Sequence, residues 1–189
     1  KHELLIITVA RLGAAPVIRG NRCYHNKMSG IGAREKSRPV IEDNECFENV
    51  MAGIGVRTGA APVVRNNRCY RNEMAGIGNR LEARPIIVGN TCFENKAAGI
   101  GVRGGSAAII VGNRCIENRL VAIGLPEGAT AHIQGNELQS TGGGAPPLVV
   151  VKGGSSAVLV DNSIRGGGVA GMLVQGTAQL SGNSFFGVG

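Results

Sequence analysis

The sequence predicts an all-β chain, one domain over residues 1–189, that coils as a single-stranded parallel β-solenoid of about eight turns. Residues of one type recur every 23 positions, which is the length of one such turn. β-branched residues fill most apolar positions, and Gly, Asn and Pro stand between them. The Leu-x-x-Leu-x-Leu framework of a leucine-rich repeat, the other fold that suits this period, is absent. We expect three short strands per turn, regular in 10–140 and irregular in 141–189.

Three rows of apolar residues are predicted to point inward, one for each strand of the turn. The first strand follows a row of Pro residues and contributes Ile18, Ile41, Val64, Ile87, Ile110, Ile133, Leu159 and Leu180. The second strand contributes Cys23, Cys46, Cys69, Cys92 and Cys115, continued by Leu138, Ile164 and Phe185. The third strand lies in a Gly-Ile-Gly element and contributes Ile31, Ile54, Ile77, Ile100, Ile123, Val149 and Met172.

Two rows of Asn residues are predicted to close the bends between strands. An Asn amide can satisfy the backbone groups that a bend leaves unpaired, and it can bond the Asn residues of the turns above and below. Asn also tolerates left-handed backbone. The first row consists of Asn21, Asn44, Asn67, Asn90 and Asn113, continued by Asn136, Asn162 and Asn183. The second row consists of Asn26, Asn49, Asn72, Asn95 and Asn118.

The five Cys residues are interpreted as a reduced stack in the core. Zinc sites use short spacings such as C-x₂-C, whereas these residues are 23 apart. Neighbouring turns bring two Cys within the Cα distance of a disulfide, but parallel side chains give a poor bridging dihedral. Unbridged thiols favour a reducing compartment, and hence the cytoplasm. The chain begins without Met, so a secreted or periplasmic location stays open.

No constellation of catalytic, metal-binding or cofactor-binding residues is recognisable. The sequence has only two Asp residues, Asp43 and Asp161, and its three His residues fall in different rows. No apolar run reaches the roughly 18 residues of a membrane span. We therefore predict no catalytic residue, no metal and no cofactor.

One row of basic residues is the candidate binding site. The chain carries a net charge of +7, and Arg residues recur every 23 positions along this row. Like charges stacked about 5 Å apart repel one another, so the row could serve as a track for a polyanion. In the alternative, each Arg packs over a bend and bonds nearby carbonyls, with Glu35, Glu73 or Glu82 as counter-charge. The row consists of Arg11, Arg34, Arg57, Arg80 and Arg103, and Lys152 is a candidate to continue it.

The turn from Pro39 to Arg57 resembles the repeat of the right-handed parallel β-helix family. That family includes carbohydrate-binding and sugar-hydrolase domains, NosD-type periplasmic proteins and the β-helix region of F-box protein 11. The resemblance implies a right-handed coil, and either binding or modification of polysaccharide or recognition of a protein. The Asp/Glu clusters of pectate-lyase-like enzymes, the Asp pairs of polygalacturonases and the Asp-Pro-His motif of mannuronan epimerases are not found in this sequence.

We expect a non-catalytic binding or scaffold module whose partner is a protein or an acidic polysaccharide. The alternative is a polysaccharide-active enzyme of the lyase, hydrolase or epimerase type. The two ends of the rod expose strand edges, so we also expect a cap at Leu4–Ile7 and either end-to-end self-association or continuation into a larger chain. The segment Thr141–Pro147 is expected to project as a loop.

Overall fold

The computed structural model describes residues 8–142, 146–168 and 170–187, and these form three parallel sheets of eight strands each. Every turn contributes one strand to each sheet, and each strand pairs with the equivalent strands of the turns before and after. The solenoid of about eight turns predicted from the repeat is therefore confirmed. The expected cap at residues 4–7 and the centre of the expected loop, residues 143–145, lie outside the described residues.

Sheet 1 carries the Gly-Ile-Gly elements. Its strands are β1 (Thr8–Ala10), β4 (Ile31–Ala33), β7 (Ile54–Arg57), β10 (Ile77–Arg80), β13 (Ala98–Val102), β16 (Val121–Leu125), β19 (Val149–Val151) and β22 (Met172–Val174).

Sheet 2 follows the Pro row. Its strands are β2 (Val17–Arg19), β5 (Val40–Glu42), β8 (Val63–Arg65), β11 (Ile86–Val88), β14 (Ala107–Val111), β17 (Thr130–Gln134), β20 (Ser156–Val160) and β23 (Thr177–Ser181).

Sheet 3 carries the Cys row. Its strands are β3 (Arg22–Tyr24), β6 (Glu45–Phe47), β9 (Arg68–Tyr70), β12 (Thr91–Phe93), β15 (Arg114–Ile116), β18 (Glu137–Ser140), β21 (Ser163–Gly166) and β24 (Ser184–Phe186).

The interior is filled by columns of like residues, because the strands pair in register from turn to turn. Ile41 pairs with Val64, and Cys46 with Cys69, so each inward side chain rests on its counterpart one turn away. The five Cys are buried, and none is in a disulfide. Leu180 and Phe185 continue two columns in register but are each 50% exposed, since no further described turn lies over them.

Both Asn rows form the predicted amide ladders. The Oδ1 atom of Asn44 accepts hydrogen bonds from the backbone N and Nδ2 of Asn21 at 2.9 and 3.0 Å. Its Nδ2 donates to the Ile18 carbonyl and to Oδ1 of Asn67, both at 2.9 Å. The ladder thus joins successive turns and satisfies the bend at the same time.

The left-handed backbone at these bends falls on the residue before each ladder Asn and not on the ladder Asn itself. Asp43 (φ 55°) precedes Asn44, and Glu48 (φ 53°) precedes Asn49. The preceding residue therefore makes the bend in the backbone. The amide of the ladder Asn bonds the Asn of the next turn, along the rod axis. In the first ladder this neighbour is Gly, Asp or Asn, the residue types that adopt left-handed backbone most readily.

Candidate binding groove

The outward face of sheet 1 is built around glycine. Strand alternation turns the Ile of each Gly-Ile-Gly element into the core, where Ile77 for example is fully buried, and turns the second Gly outward. These second glycines pair in register along the rod. Their row consists of Gly32, Gly55, Gly78, Gly101 and Gly124. We call it the glycine floor.

The two glycines of the element serve different purposes. A Cβ added to Gly76, a first glycine, would lie 2.8 Å from the Gly99 carbonyl oxygen and 2.9 Å from Nδ2 of Asn95, so close packing excludes any side chain there. A Cβ added to Gly78, a second glycine, would meet nothing closer than Cβ of Ala52 at 3.5 Å, and its φ is not positive. Close packing thus requires glycine at Gly76, whereas at Gly78 glycine leaves an open surface. A Cβ at Gly32 or Gly101 would likewise make only ordinary contacts, but a Cβ at Gly55 would lie 2.7 Å from Oγ of Ser29.

That open surface is a groove of about 370 Å³ that runs along the rod axis over the glycine floor. One side, the arginine wall, consists of Arg34, Arg57, Arg80 and Arg103, with Lys152 further along. The opposite side, the methionine wall, consists of Met28, Met51, Met74, Ala97 and Leu120. The backbone ladder holds the methionine wall in register, since Met51 N donates to Met28 O and Met74 N donates to Met51 O, each at 3.3 Å.

The guanidinium groups of the arginine wall form no ion pair, and the carboxylate of Glu35 is near enough to act on Arg34 and Arg57 only through space. Among the described residues, no carboxylate lies within ion-pair distance of Arg34, Arg57, Arg80 or Arg103, and Nε of Arg34 is buried without a hydrogen-bond partner. Burial lowers the pKa of Arg57 from its ordinary value, and the like charges of Arg34 and Arg80 lower it further. The wall is a line of half-buried positive charge that a bound anion would relieve.

Arg11 occupies the same sequence row but lies outside the groove. Its Nε and Nη2 both donate to Oε1 of Glu35, at 3.0 and 2.7 Å, and its side chain is exposed. The hydrogen bond from Arg11 is the main cause that lowers the pKa of Glu35. The structure therefore brings together four of the five candidate Arg residues and gives the fifth the Glu partner considered as the alternative. Of the other two Glu considered, Glu73 pairs with Lys96.

The groove contains few groups capable of acid–base chemistry. No Asp, Glu, His or Tyr is among the described residues that line it. Its neutral polar side chains are Ser29, whose Oγ lies over Gly55, and Asn79, a buried amide whose Nδ2 donates to the Gly101 carbonyl at 3.0 Å while its Oδ1 has no partner. Across the described part of the chain, no three His, Cys, Asp or Glu side chains are arranged to hold a metal ion.

On sheet 3, by contrast, charged side chains pair with charges of opposite sign, and aromatic rings stack on one another. Arg22 bonds Glu45 at 2.8 Å, and Arg114 bonds Glu137 at 2.7 Å. Tyr24, Phe47, Tyr70 and Phe93 stack face to face with ring centroids 4.7–5.0 Å apart. Because each inner ring has both faces covered by its neighbours, this column is not a platform on which a ligand could stack.

Sequence reasoning identified the Arg row but missed the groove that it borders. The signals were present, since Met28, Met51 and Met74 share the period of 23 and the second Gly recurs with it. Their meaning depended on which positions of the element face outward, which the bends decide.

The fold and the groove define the chain as a β-solenoid with an open groove that is charged along one side. It belongs to the right-handed β-helix family, because the model of the right-handed β-helix region matches residues 7–150 and 83–189. The right-handed coil that the family resemblance implied is thereby confirmed. No curated protein sequence matches the chain. No described segment forms an apolar helix of the length needed to cross a bilayer.

Several solved structures share the fold. The A-module of mannuronan C-5 epimerase AlgE6 from Azotobacter vinelandii aligns with a TM-score of 0.79 at 18% identity, over 95% of this chain and 58% of that one. The periplasmic alginate epimerase AlgG aligns with a TM-score of 0.71 at 17% identity, over 86% and 43%. A double mutant of AlgG gives 0.79 at 17% identity, over 94% and 47%. The chain thus spans about half the length of these structures, and at such identity the likeness shows the fold.

Proposed function

We propose that the groove binds a linear acidic polysaccharide of the uronic acid class and that the chain does not itself catalyse a reaction on it. The observation that carries the proposal is the arginine wall: four guanidinium groups that form no ion pair, one per turn, beside a floor of glycines. Neighbouring turns are about 4.8 Å apart, a repeat close to the length of one sugar residue. Successive residues of an extended polyuronate are turned about half a revolution from one another, so every second carboxylate could then reach the arginine wall.

Other polyanions fit the groove less well. Single-stranded nucleic acid is usually held by aromatic side chains between which bases stack, and the rings of this chain lie on sheet 3 with their faces covered by one another. The fold neighbours AlgG and AlgE6 are, by their names, epimerases of alginate and mannuronan, and this supports a polyuronate as ligand.

The side chains that line the groove favour binding over catalysis. Epimerisation and elimination both begin by removing a proton next to a carboxyl group, which needs a base within hydrogen-bond reach. The described lining offers no carboxylate, imidazole or phenol for this task. The second candidate is a polysaccharide-active enzyme of the epimerase or lyase type, which the names of the fold neighbours favour. Sustained turnover of a polyuronate, abolished by Arg57→Lys, would establish that candidate and overturn the non-catalytic proposal.

The partner and compartment predictions are carried forward as part of this proposal. The half-exposed Leu180 and Phe185 on the last described turn are the surface through which end-to-end association would occur, and sedimentation at rising protein concentration tests for it. The buried thiols are inaccessible to disulfide exchange in either kind of compartment, so they do not favour the cytoplasm. The name of AlgG places that neighbour in the periplasm, and we propose an extracytoplasmic location for this chain.

The test is calorimetric titration with polymannuronate, polygalacturonate and a neutral mannan of matched length. We expect the two polyuronates to bind and the mannan not to bind. Arg57→Gln with Arg80→Gln should weaken polyuronate binding about 25-fold, at about 1 kcal/mol for each half-buried guanidinium contact. Arg22→Gln with Arg114→Gln is the matched control, since it removes the same two charges from sheet 3, outside the groove, and it should change the affinity little. Equal losses in the two variants would mean that overall charge, not the groove, attracts the polymer.

A further inference from the structure

The glycine floor is open along only part of its length, which bears on the length of the ligand, and this inference rests on the proposed function. Gly55, Gly78 and Gly101, in the middle of the floor, are partly exposed. Gly32 and Gly124, the glycines at its two ends, are buried. The five glycines carry no side chains of their own, so the difference comes from the residues around them.

Different side chains cover the two ends of the floor. At one end, Cγ2 of Val9 and Nη2 of Arg34 lie 3.6 and 3.9 Å from the place that a Cβ of Gly32 would take. At the other end, Cγ2 of Val121 lies 3.0 Å from the place that a Cβ of Gly124 would take. Both ends are therefore shallower than the middle of the groove.

The middle turns stay open because small residues stand beside their glycines. Ala75 and Ala98 occupy the positions that correspond to Val121, three residues before the outward glycine of the same turn. Their Cβ atoms lie 3.9 Å from the places that a Cβ of Gly78 or of Gly101 would take. The change from Ala98 to Val121 in the following turn thus marks where the open floor stops.

The row of cations stops at the same two ends. Pro126 stands one turn after Arg103, so a turn without a cation separates Lys152 from the arginine wall. On the turn before the wall, Arg11 is hydrogen-bonded to Glu35. The open floor and the unpaired guanidinium groups therefore occupy the same stretch of the rod.

We propose that the groove is a bounded site for about four sugar residues, and that Val9, Arg34 and Val121 set its ends. The buried Gly32 and Gly124 are four turns apart, which is about 19 Å, or about one sugar residue per turn. A sugar ring that rests on exposed glycine cannot keep that depth over a Val side chain, because carbon atoms do not approach more closely than about 3.5 Å. A longer chain leaves the floor at both ends, and its outer residues make few contacts.

The experiment titrates the whole chain with oligomannuronates of two to eight residues in a calorimeter. The binding enthalpy should grow with each residue up to about four and then stay constant, because longer oligomers add only alternative registers, which contribute entropy. Gly101→Val puts a side chain on the floor one turn before the covered end, and the enthalpy should then level off at about three residues. Val121→Ala uncovers Gly124 and should move the plateau to about five residues.

The matched control is Val158→Ala, the same substitution at an exposed position of β20 on sheet 2, outside the groove. It should leave the plateau at about four residues, and thermal melting of all three variants checks that they are folded. An enthalpy that still grows between five and eight residues, or a plateau that neither groove variant moves, would overturn this inference and leave the proposed function standing. If neither the oligomers nor polymannuronate bind, the proposed function is wrong and this inference with it.

Discussion

The variant Gly78→Val tests whether the glycine floor holds a ligand. Gly78 lies in β10 at the middle of the floor, and a Cβ there would make only ordinary contacts, 3.5 Å to Ala52 and 3.9 Å to Ala75. Val already stands at the aligned outward positions of β1 and β19, as Val9 and Val150, so the backbone geometry of this row accepts it. The substitution should fill the groove at its centre without disturbing the core.

Stability and binding should therefore change in opposite senses. Gly inside a strand is less favourable than Ala by about 0.5–1 kcal/mol, so Gly78→Val should raise the free energy of unfolding by at least that amount. For a chain of this size, 1 kcal/mol corresponds to a rise in Tm of about 2–4 °C. A polyuronate could no longer rest on the central turn, and we expect at least tenfold weaker binding, about 1.4 kcal/mol.

The assay pairs calorimetric titration of the polyuronate with thermal melting monitored by circular dichroism. Gly76→Val is the matched control, because the same change two residues earlier forces a Cβ to within 2.8 Å of the Gly99 carbonyl oxygen. It should destabilise the fold by about 1–3 kcal/mol. If Gly78→Val is more stable yet binds the polymer as tightly as the unaltered chain, the ligand does not lie on the glycine floor and the proposed site is wrong.

Three further predictions follow from the ladders and the charges. Asn90→Ala should lower the free energy of unfolding in urea by about 2–5 kcal/mol because it leaves several buried groups unpaired, and the half-buried Asn183→Ala should cost clearly less; equal costs would contradict a continuous buried ladder. The pKa of Glu35 is lowered by its hydrogen bond from Arg11, so the stability it contributes is complete above the unfolded Glu value of about 4.3 and is lost as pH falls through the folded pKa. Urea midpoints below about pH 4 should show this loss, and Arg11→Gln should reduce it; an identical pH profile in that variant would refute the assignment. Polyuronate binding should weaken as ionic strength rises, less steeply for Arg57→Gln, and equal slopes would argue against direct contact by that residue.

The sequence alone was sufficient for the solenoid because each turn repeats the same physical problem. A period of 23 places Ile41 on Val64 and Asn44 on Asn67, and in-register parallel pairing follows from that spacing. The same regularity concealed the differences between turns. Arg11 and Arg57 are equivalent by spacing, yet of the two only Arg11 is hydrogen-bonded to Glu35, and that choice depends on side-chain conformation.

The groove was hidden for a related reason. The sequence does not distinguish the two glycines of a Gly-Ile-Gly element. Only the direction in which a Cβ would point shows that Gly76 is packed against a carbonyl oxygen and that Gly78 faces open space. The Met row likewise has the spacing of a core row. Only the path of the bend before each element shows that it forms the methionine wall.

The stability lost at the floor is an argument that the groove has a function. Three outward glycines whose surroundings would admit a Cβ, Gly32, Gly78 and Gly101, are each less favourable than Ala in a strand by about 0.5–1 kcal/mol, and together they forgo between about 1.5 and 3 kcal/mol of stability. Packing explains the first glycine of each element but not Gly78 or Gly101, whose surroundings would admit a side chain. The arginine wall adds a second unfavourable feature, because Arg57 is half-buried beside like charges that lower its pKa. A fold that needs neither feature for its own integrity carries both on one face, and a bound polyanion is the partner that would offset both at once.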